Sequence, residues 1–457
     1  MKSDPASADV AIIGGGFSGT MLAAQLARRD LSAIIVEARD RAGRGTAFST
    51  PEEAHLLNVP AGKMSAWPDE ADNFAAALAG EGYEAADFVP RRRFGAYLSD
   101  ILGEARDSGR VAVRAGRAVR AERGGAGWAV SLADGSKLQG AALVLAQGNQ
   151  TPEPLRAAEG ISPELFVNDP WSDEGRSAVL RVAENGGDVL IVGTGLTMVD
   201  VVLSLDAAGH QGRIVAVSRR GLTPRAHAPY EPMAAERGEV PHGSVRGLWR
   251  WLRKRGAQLG WRGAVDSLRP HSHALWQSLD EEQQKRFLRH ARPWWDVHRH
   301  RIAPEVAAVL KRLIGEGRLE IVAGRIKSMR EGNHRLIVGI QRRGKSETRE
   351  EHFALGVNCT GPLGAIGRSE DGVIRSLLDA GRARPDRLGI GLDVDGRSRV
   401  LRDEASTGSA SPQDERPSLL WALGPLTKGR FWEIVAVPDI RGQVADVAKD
   451  ISEELQR

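Results

Sequence analysis

Two stretches of the chain share one pattern of apolar and polar positions. The first starts with the apolar run V-A-I-I at 10–13. It passes through glycines into a segment with apolar residues at helical spacing, and it ends in a second apolar run at 33–36. Residues 188–220 repeat the same order. Short apolar runs beside glycine turns are typical of buried parallel strands, and the periodic segment between them is typical of a helix. The pattern predicts two β-α-β units in an α/β fold.

Each unit is followed by short segments with strand-like patterning and then by an apolar run that ends at a glycine turn. The segment I-V-A-G-R-I-K-S-M-R in the second half resembles V-R-A-G-R-A-V-R-A-E in the first. We interpret this as an internal duplication, in which a small β excursion and a returning strand close each unit. The strands predicted after the first unit are 111–113, 118–121, 128–132, 138–139 and 143–146, and the second copy spans 319–362.

A helix-rich insertion separates the two parts of the second copy. It holds six of the eleven tryptophans of the chain, and we expect either a substrate or interface region or a plain tryptophan-rich core. A late apolar run at 419–423, followed by a final helix, is expected to return to the first domain. The predicted domains are 1–155 with 363–457, 156–229 with 305–362, and the insertion 230–304.

The first unit carries the glycine spacing of a dinucleotide site. Gly14 permits a tight turn, Gly16 lets a pyrophosphate approach the backbone, and Gly19 lets helix and strand pack closely. The start of the helix offers free N–H groups to phosphates. Phe17 and Ser18 are expected at the pyrophosphate as well, and Glu37 stands where a ribose-binding carboxylate belongs. The alternative is a glycine-rich turn without a ligand.

The second unit departs from this pattern at two places. Gly193, Thr194 and Gly195 repeat the turn, but Met198 replaces the third glycine, which affects helix packing more than phosphate approach. No acid ends the second strand. Instead, Ser218 is followed there by two arginines, which favour a 2′-phosphate and therefore NADPH over NADH. The alternative is a structural unit with solvated arginines. The arginines are Arg219 and Arg220.

Composition narrows the classes of protein that remain. The chain has 457 residues, of which 41% are hydrophobic and 27% charged, as in a soluble globular protein. The single cysteine, Cys359, excludes an internal disulfide and a C-x-x-C redox pair. A net charge of +4, spread among acids, gives no indication of nucleic-acid binding. We see no signal peptide and no membrane span, so we expect a cytoplasmic protein. His298 and His300 stand two apart without further ligands, so no metal site is expected.

The motif set resembles a family of bacterial FAD/NAD(P)-binding proteins related to class B flavin-containing and N-hydroxylating monooxygenases. The motifs are G-G-G-F-S-G, G-R-G-T-A-F, H-L-L-N-V-P-A-G-K-M-S-A-W-P-D, G-T-G-L-T-M-V-D, S-R-R-G and N-C-T-G-P. The resemblance implies a two-dinucleotide-binding flavoprotein with two Rossmann-like domains, FAD on the first unit and NADPH on the second. It also implies residues that line the flavin and further contacts to the cofactors. The residues lining the flavin are Met64, Gly148, Gly424 and Thr427, and the further contacts are Ala38, Arg44, Ser65 and Val119.

The resemblance also implies a catalytic role for Asn58. In flavin-containing monooxygenases an asparagine beside the flavin precedes a Met-Ser-x-aromatic-x-Asp run, and residues 64–69 read M-S-A-W-P-D. The asparagine would help to hold a C4a-hydroperoxyflavin, which needs hydrogen-bond donors and exclusion of water. Oxygen from O2 would then pass to a small nucleophile such as an amine. The alternative is an Asx turn before Pro60.

Three other functions stay open. The protein could be an NADPH-dependent flavin oxidase or reductase that transfers electrons without inserting oxygen. It could keep the fold as a non-catalytic binding protein. It could also be an oligomeric scaffold that uses the insertion as an interface, and a homo-oligomer is compatible with each of these functions.

Overall fold

The computed structural model describes residues 6–125, 127–403 and 418–457. Two seven-stranded sheets organise this part of the chain. The strands of the first sheet are β1 (Ser7–Ile13), β2 (Ala33–Glu37), β3 (Val111–Ala115), β4 (Ala118–Gly124), β5 (Gly127–Leu132), β6 (Lys137–Leu145) and β14 (Leu420–Ala422). Those of the second are β7 (Phe166–Val167), β8 (Val189–Val192), β9 (Ile214–Ser218), β10 (Leu319–Gly332), β11 (Arg335–Arg342), β12 (Thr348–Phe353) and β13 (Leu355–Asn358).

Helices cover the sheets and form the insertion. Those of the first half are α1 (Phe17–Ala27), α2 (Gly45–Phe48), α3 (Asn73–Ala77), α4 (Arg91–Asp107), α5 (Asp173–Asn185) and α6 (Leu196–Ala207). Those of the second half are α7 (Val245–Ser267), α8 (Ser272–Ser278), α9 (Glu281–Arg286), α10 (Arg292–Arg299), α11 (Pro304–Gly315), α12 (Gly372–Asp379) and α13 (Val437–Leu455). The predicted α/β class, with two parallel-sheet units and a helical insertion, is confirmed.

Strand β1 is the centre of the first sheet because it is apolar on both faces. Val10, Ala11 and Ile12 are completely buried, as expected for a parallel strand covered on both sides. The order is β3-β2-β1-β6-β5-β4, and β14 runs parallel to β6. Helix α13 packs against α1. The C-terminal strand and helix thereby join the first sheet, although the whole second unit and the insertion intervene in the chain.

One strand prediction needs correction. The segments predicted as separate strands at 138–139 and 143–146 form the single strand β6. Its beginning pairs antiparallel with β5, and most of its length pairs parallel with β1. Gly140 makes this possible, because a side chain there would place its Cβ 2.7 Å from the backbone nitrogen of Ala11. The G-A-A interruption between the two predicted strands is therefore a point of close backbone approach.

The second sheet repeats the first at its parallel core. Its order is β12-β11-β10-β9-β8-β13-β7, with β8, β9, β10 and β13 parallel. After each returning strand the chain makes the same bond to the first strand of its unit. The N–H of Ala146 donates to Ile13 O, and the N–H of Cys359 donates to Val192 O, both at 2.8 Å. This repeated geometry is what an internal duplication predicts. The exact domain boundaries stay predictions.

The insertion is helical and packs against the C-terminal part of the first domain. Trp276 stacks on Trp432 with ring centroids 4.7 Å apart, and its indole N–H donates to Gly429 O at 2.8 Å. Trp249 and Trp294 are by contrast more than a third exposed. The tryptophans of the insertion thus serve both an internal core and a surface.

Candidate functional site

A large cleft lies at the carboxyl ends of β1 and β8, where the glycine turns of both units open. Its volume is about 2210 Å³. Ligand pockets are ordinarily about 300–1,000 Å³, so this cleft has room for more than one extended ligand. In open α/β sheets, ligands bind outside the carboxyl ends of the strands. The cleft lies outside the carboxyl ends of the parallel strands of both sheets.

The first glycine turn brings backbone to the cleft wall. Gly14 has φ +103°, and a Cβ there would lie 2.5 Å from Ala146 O, so only glycine fits. Gly16 caps helix α1, and no side chain satisfies the first N–H groups of that helix. Uncapped N–H groups at a helix start attract anions. Both glycines line the cleft, which suits a pyrophosphate.

Glu37 ends β2 at the edge of the same turn. Its Oε2 accepts a hydrogen bond from the N–H of Gly15 at 2.7 Å, and its Oε1 accepts one from the N–H of Arg39 at 3.0 Å. A carboxylate offers about four acceptor positions, so capacity remains for the hydroxyls of a ribose. Glu37 also lines the cleft.

The second turn has the same backbone and a different side chain at the strand end. Gly193 has φ +117°, and a Cβ there would lie 2.2 Å from Cys359 O. Ser218 occupies the place that Glu37 has in the first unit. Its hydroxyl lies 2.8 Å from that of Thr194 and accepts from the N–H of Gly221 at 3.0 Å. Ser218 therefore brings no carboxylate that would repel a 2′-phosphate.

An arginine that the sequence analysis missed lies beside this strand end. Arg325 is two residues beyond Ala323 on β10, and Ala323 is the register partner of Ser218. Arg219 and Arg325 both line the cleft, and no described residue forms an ion pair with either. The duplicated A-G-R could have revealed it, since Arg117 in the first copy lines the cleft as well.

Most of the residues predicted for the cofactors line the cleft. Those that do are Gly14, Gly16, Phe17, Ser18, Glu37, Ala38, Arg44, Asn58, Met64, Gly148, Gly193, Thr194, Gly195 and Arg219. Those that do not are Gly19, Ser65, Val119, Arg220, Gly424 and Thr427.

Three of the residues outside the cleft have packing or turn roles. A Cβ on Gly19 would lie 1.9 Å from Gly14 O, so this glycine serves the contact of α1 with the turn. Ser65 is completely buried, and its hydroxyl bonds within its own turn. Val119 is 37% exposed and lies next to Ala118, which lines the cleft. The geometry at Gly19 agrees with the packing role predicted for it, and the cofactor contacts predicted for Ser65 and Val119 stay predictions.

The other three residues that do not line the cleft are Gly424, Thr427 and Arg220. The N–H of Gly424 donates to Gln443 Oε1 at 2.8 Å, and the Thr427 hydroxyl donates to Gly424 O at 2.9 Å. Their polar groups are therefore engaged within the C-terminal segment. Arg220 follows Arg219 in the chain but does not line the cleft, and the cofactor contacts predicted for all three stay predictions.

Asn58 follows a short antiparallel pairing at the cleft wall. Leu56 pairs with Pro90, and the N–H of Leu57 donates to Val89 O at 2.8 Å; we call the two segments 54–58 and 88–91 the ribbon. Asn58 O lies 3.0 Å from Nε2 of His227, whose pKa is lowered mainly by burial. No described residue bonds the Asn58 amide. An Asx turn onto Pro60 is impossible, because proline has no N–H.

A buried acceptor in the cleft has no partner in the described part of the protein. Gln147 Oε1 is buried, lines the cleft and accepts no hydrogen bond from any described residue. Leaving such a group unsatisfied costs about 1–3 kcal/mol. A ligand N–H at this end of the cleft would satisfy it. This observation, with the glycine turns, is the evidence that the residues present fit a flavin dinucleotide.

Charged residues of the insertion and of the C-terminal segment also line the cleft, and they were not among the predicted site residues. Glu433 accepts a bond from Arg299 Nε at 3.1 Å and another from the Trp295 indole N–H. Burial raises the pKa of Asp296 and lowers that of His300. Lys428 also lines the cleft, and burial and the nearby Arg292 lower its pKa. These charged residues come from two distant segments of the chain and lie together only in the folded protein.

Residues 11–150 match the model of a protein family described as FAD-NAD(P)-binding. Residues 11–150 are an FAD/NAD(P)-binding domain. This domain contains the glycine turn, Glu37 and Asn58. No curated protein matches the chain in sequence.

Solved structures with a similar fold extend over nearly the whole chain. L-lysine 6-monooxygenase from Pseudomonas syringae is 17% identical, with a TM-score of 0.66 over 98% of this chain and 99% of that one. The ornithine N-hydroxylase KtzI from Kutzneria sp. 744 is 15% identical, with a TM-score of 0.65 over 99% and 100%. Thioredoxin reductase from T. acidophilum is 12% identical, with a TM-score of 0.54 over 99% and 100%. The chain therefore has the two-dinucleotide-binding flavoprotein fold.

No helix among the described residues is both long and apolar enough to cross a bilayer. Nor do three or more His, Cys, Asp or Glu side chains of that part of the chain come together in a way that could hold a metal ion. The cytoplasmic location and the oligomeric state stay predictions.

Proposed function

We propose that this protein is an FAD-dependent oxidoreductase that uses NADPH. The observation that carries the proposal is the pair of equivalent glycine turns that open on one cleft, at Gly14 and at Gly193. A protein that binds a single dinucleotide needs one such turn. Two that face a common cleft suit the transfer of a hydride from one bound cofactor to the other.

FAD is assigned to the first unit. Its pyrophosphate would meet the start of α1 at Gly16, and Glu37 would take the adenosine ribose. Gln147 and Met64 line the part of the cleft expected for the flavin. When bound, FAD takes a hydride from a nicotinamide and passes electrons on to a substrate or to O2, while the protein supplies orientation and electrostatics.

NADPH is assigned to the second unit. Ser218 leaves out the carboxylate that would repel a 2′-phosphate, and two cationic side chains from neighbouring strands, Arg219 and Arg325, line the cleft beside it. A guanidinium can hold a phosphate through two parallel hydrogen bonds. This arrangement supports NADPH over NADH.

We assign oxygen transfer to a small amine as the specific reaction. Its support is the Asn58 amide, which lines the cleft without a partner among the described residues, together with the motif that follows it. The similar fold of KtzI was solved with reduced FAD, NADP+ and L-ornithine bound to that protein. An amide donor beside the flavin would stabilise developing negative charge, and residues of the insertion that line the same cleft would help to keep water from it.

The structure argues against a dithiol reaction of the thioredoxin reductase kind. Cys359 is the single cysteine, and it is buried just after the end of β13. Burial raises the pKa of its thiol far above the ordinary value. A lone buried thiol cannot form the internal disulfide that such chemistry requires.

The test is to follow O2 and NADPH consumption by the FAD-loaded protein with a panel of small primary amines. The proposal predicts an amine that raises NADPH oxidation and yields an N-hydroxylated product in proportion to the O2 used. If every amine leaves hydrogen peroxide as the sole product, the protein is an NADPH oxidase. If NADPH is never oxidised, the whole assignment fails.

A further inference from the structure

The ribbon that carries Asn58 also joins the two nucleotide-binding domains. It starts in the first domain and reaches across to the second. Leu56 and Phe88, one from each strand of the ribbon, pack against the hydrophobic core of the second domain. The N–H of Arg91 donates to His55 O at 2.8 Å, which closes the ribbon at the start of α4.

A buried ion pair fixes the ribbon to helix α6 of the second domain. Arg91 binds Asp200 through both ends of its guanidinium, NH1 to Oδ2 at 3.0 Å and NH2 to Oδ1 at 2.9 Å. The side chains are only 13% and 6% exposed. Nε of the same arginine donates to Leu56 O at 3.1 Å. One guanidinium thus holds the ribbon and the second domain together.

His55 adds a second tie between the same elements. Its Nε2 lies 3.0 Å from Asp200 O and 3.0 Å from the Ser204 hydroxyl, and its Nδ1 lies 2.8 Å from the Thr50 hydroxyl. Burial is the main cause that lowers the pKa of this imidazole. A neutral ring with its proton on Nε2 satisfies the contacts to Thr50 and Asp200.

We propose that Arg91 and Asp200 are positioning residues that set the placement of the NADPH unit relative to the flavin and to Asn58. Helix α6 begins at the glycine turn of the second unit, and Asp200 stands at the fifth position of that helix. The ribbon ends at Asn58 on the flavin side. The ion pair therefore connects the phosphate end of one cofactor site to the reaction face of the other.

The physical reason is that removing one partner of a buried ion pair is strongly destabilising. Removing one partner leaves a buried charge without compensation, and the interface must open or rearrange to solvate it. A displacement of about 1 Å between reacting groups can lower a rate roughly 100-fold. Arg91 and Asp200 line the cleft, but their polar groups bind each other and Leu56 O, so the affinity for each cofactor on its own should change little.

This inference rests on the proposed function, because its assay follows reduction of the flavin by NADPH. Arg91→Met and Asp200→Asn should each lower the limiting rate of anaerobic flavin reduction roughly 10- to 100-fold. The Kd for NADPH should change less than about threefold, well short of the tenfold that 1.4 kcal/mol would produce. Dithionite, which does not need the second domain, should reduce the flavin of every variant at the wild-type rate.

Two further variants distinguish a positioning role from a general loss of structure. A third tests whether the rate of flavin reduction depends on the geometry of the ion pair. Arg92→Met removes the neighbouring arginine, which pairs with Glu53 at the surface, and should leave all three measurements unchanged. The double variant Arg91→Met/Asp200→Asn leaves no unpaired charge, so its rate should be no lower than that of either single variant. Arg91→Lys keeps the charge and the fold but loses the two-pronged contact, so its rate should fall between.

Several outcomes would overturn the proposal. One is an unchanged limiting rate in both single variants, and another is a raised Kd with an unchanged rate, which would make the pair a direct cofactor contact. A parallel loss of dithionite reduction would point to damage at the flavin site. If wild-type protein itself binds FAD but is not reduced by NADPH, the proposed function fails instead.

Discussion

The Glu37 carboxylate accepts a hydrogen bond from the backbone N–H of Gly15 at 2.7 Å, which fixes its oxygens at the mouth of the first glycine turn. At the equivalent place in the second unit a hydroxyl pair, Ser218 with Thr194, stands instead. The glycine turns of the two copies have the same backbone geometry, and we propose that this one exchange of side chains decides which cofactor each unit takes. A carboxylate binds ribose hydroxyls, whereas its absence beside two arginines admits a phosphate.

Glu37→Gln should weaken FAD binding. The neutral amide loses charge-assisted bonds to ribose hydroxyls, worth about 1.5–3 kcal/mol, so the Kd for FAD should rise roughly 10- to 100-fold. Titration of the apoprotein by flavin fluorescence measures this. Glu53→Gln, an exposed residue outside the cleft, serves as the control, and equal affinities in both variants would refute the ribose assignment.

Arg219→Ala and Arg325→Ala should each reduce kcat/KM for NADPH while that for NADH stays the same. Each removes a guanidinium from a phosphate that NADH lacks, at about 1.5–3 kcal/mol per charged bond. Steady-state kinetics with both coenzymes decide the point. Arg349→Ala, which removes an arginine paired with Glu347 on the surface at β12, should have no effect, and an equal loss for NADH would exclude 2′-phosphate recognition.

Asn58→Ala should separate reduction from oxygen transfer. The flavin should still be reduced by NADPH at the wild-type rate, but the yield of oxygenated amine should fall roughly 100-fold, as when one stabilising donor is removed. Hydrogen peroxide should account for the difference. Asn185→Ala, at the exposed end of α5, is the control, and an unchanged product-to-peroxide ratio in Asn58→Ala would contradict the role of this amide.

Gly19→Ala should destabilise the protein although Gly19 does not line the cleft. The added Cβ would lie 1.9 Å from Gly14 O, so α1 must shift away from the turn. Gly103→Ala in helix α4 meets nothing within 4 Å and should stabilise by about 0.5–1 kcal/mol, because alanine loses less entropy in a helix. Thermal unfolding of both variants gives the comparison, and a Gly19→Ala protein as stable as wild type would refute the packing role.

The fold could be predicted from the sequence because its signals are local. A glycine spacing, a helical period and an apolar run each occupy one short stretch. The duplication shows the same order of these signals twice in the chain. The ribbon and its ion pair could not be found this way. In the sequence Arg91 is only the first of three consecutive arginines, and its partner Asp200 stands more than a hundred residues away. Likewise, the contact of Trp276 with Trp432 exists only once the insertion has folded back. Long-range contacts of this kind produce no periodic pattern in the sequence.

Electron transfer between two cofactors bound to one chain is the central requirement of the proposed function. The direct measurement is the visible spectrum of the FAD-loaded protein, recorded without oxygen before and after addition of NADPH. We expect the bands of oxidised, protein-bound flavin at the start, and we expect them to disappear with NADPH much faster than with NADH. A protein that does not retain added FAD, or whose flavin bands stay unchanged with NADPH, would contradict the proposed function.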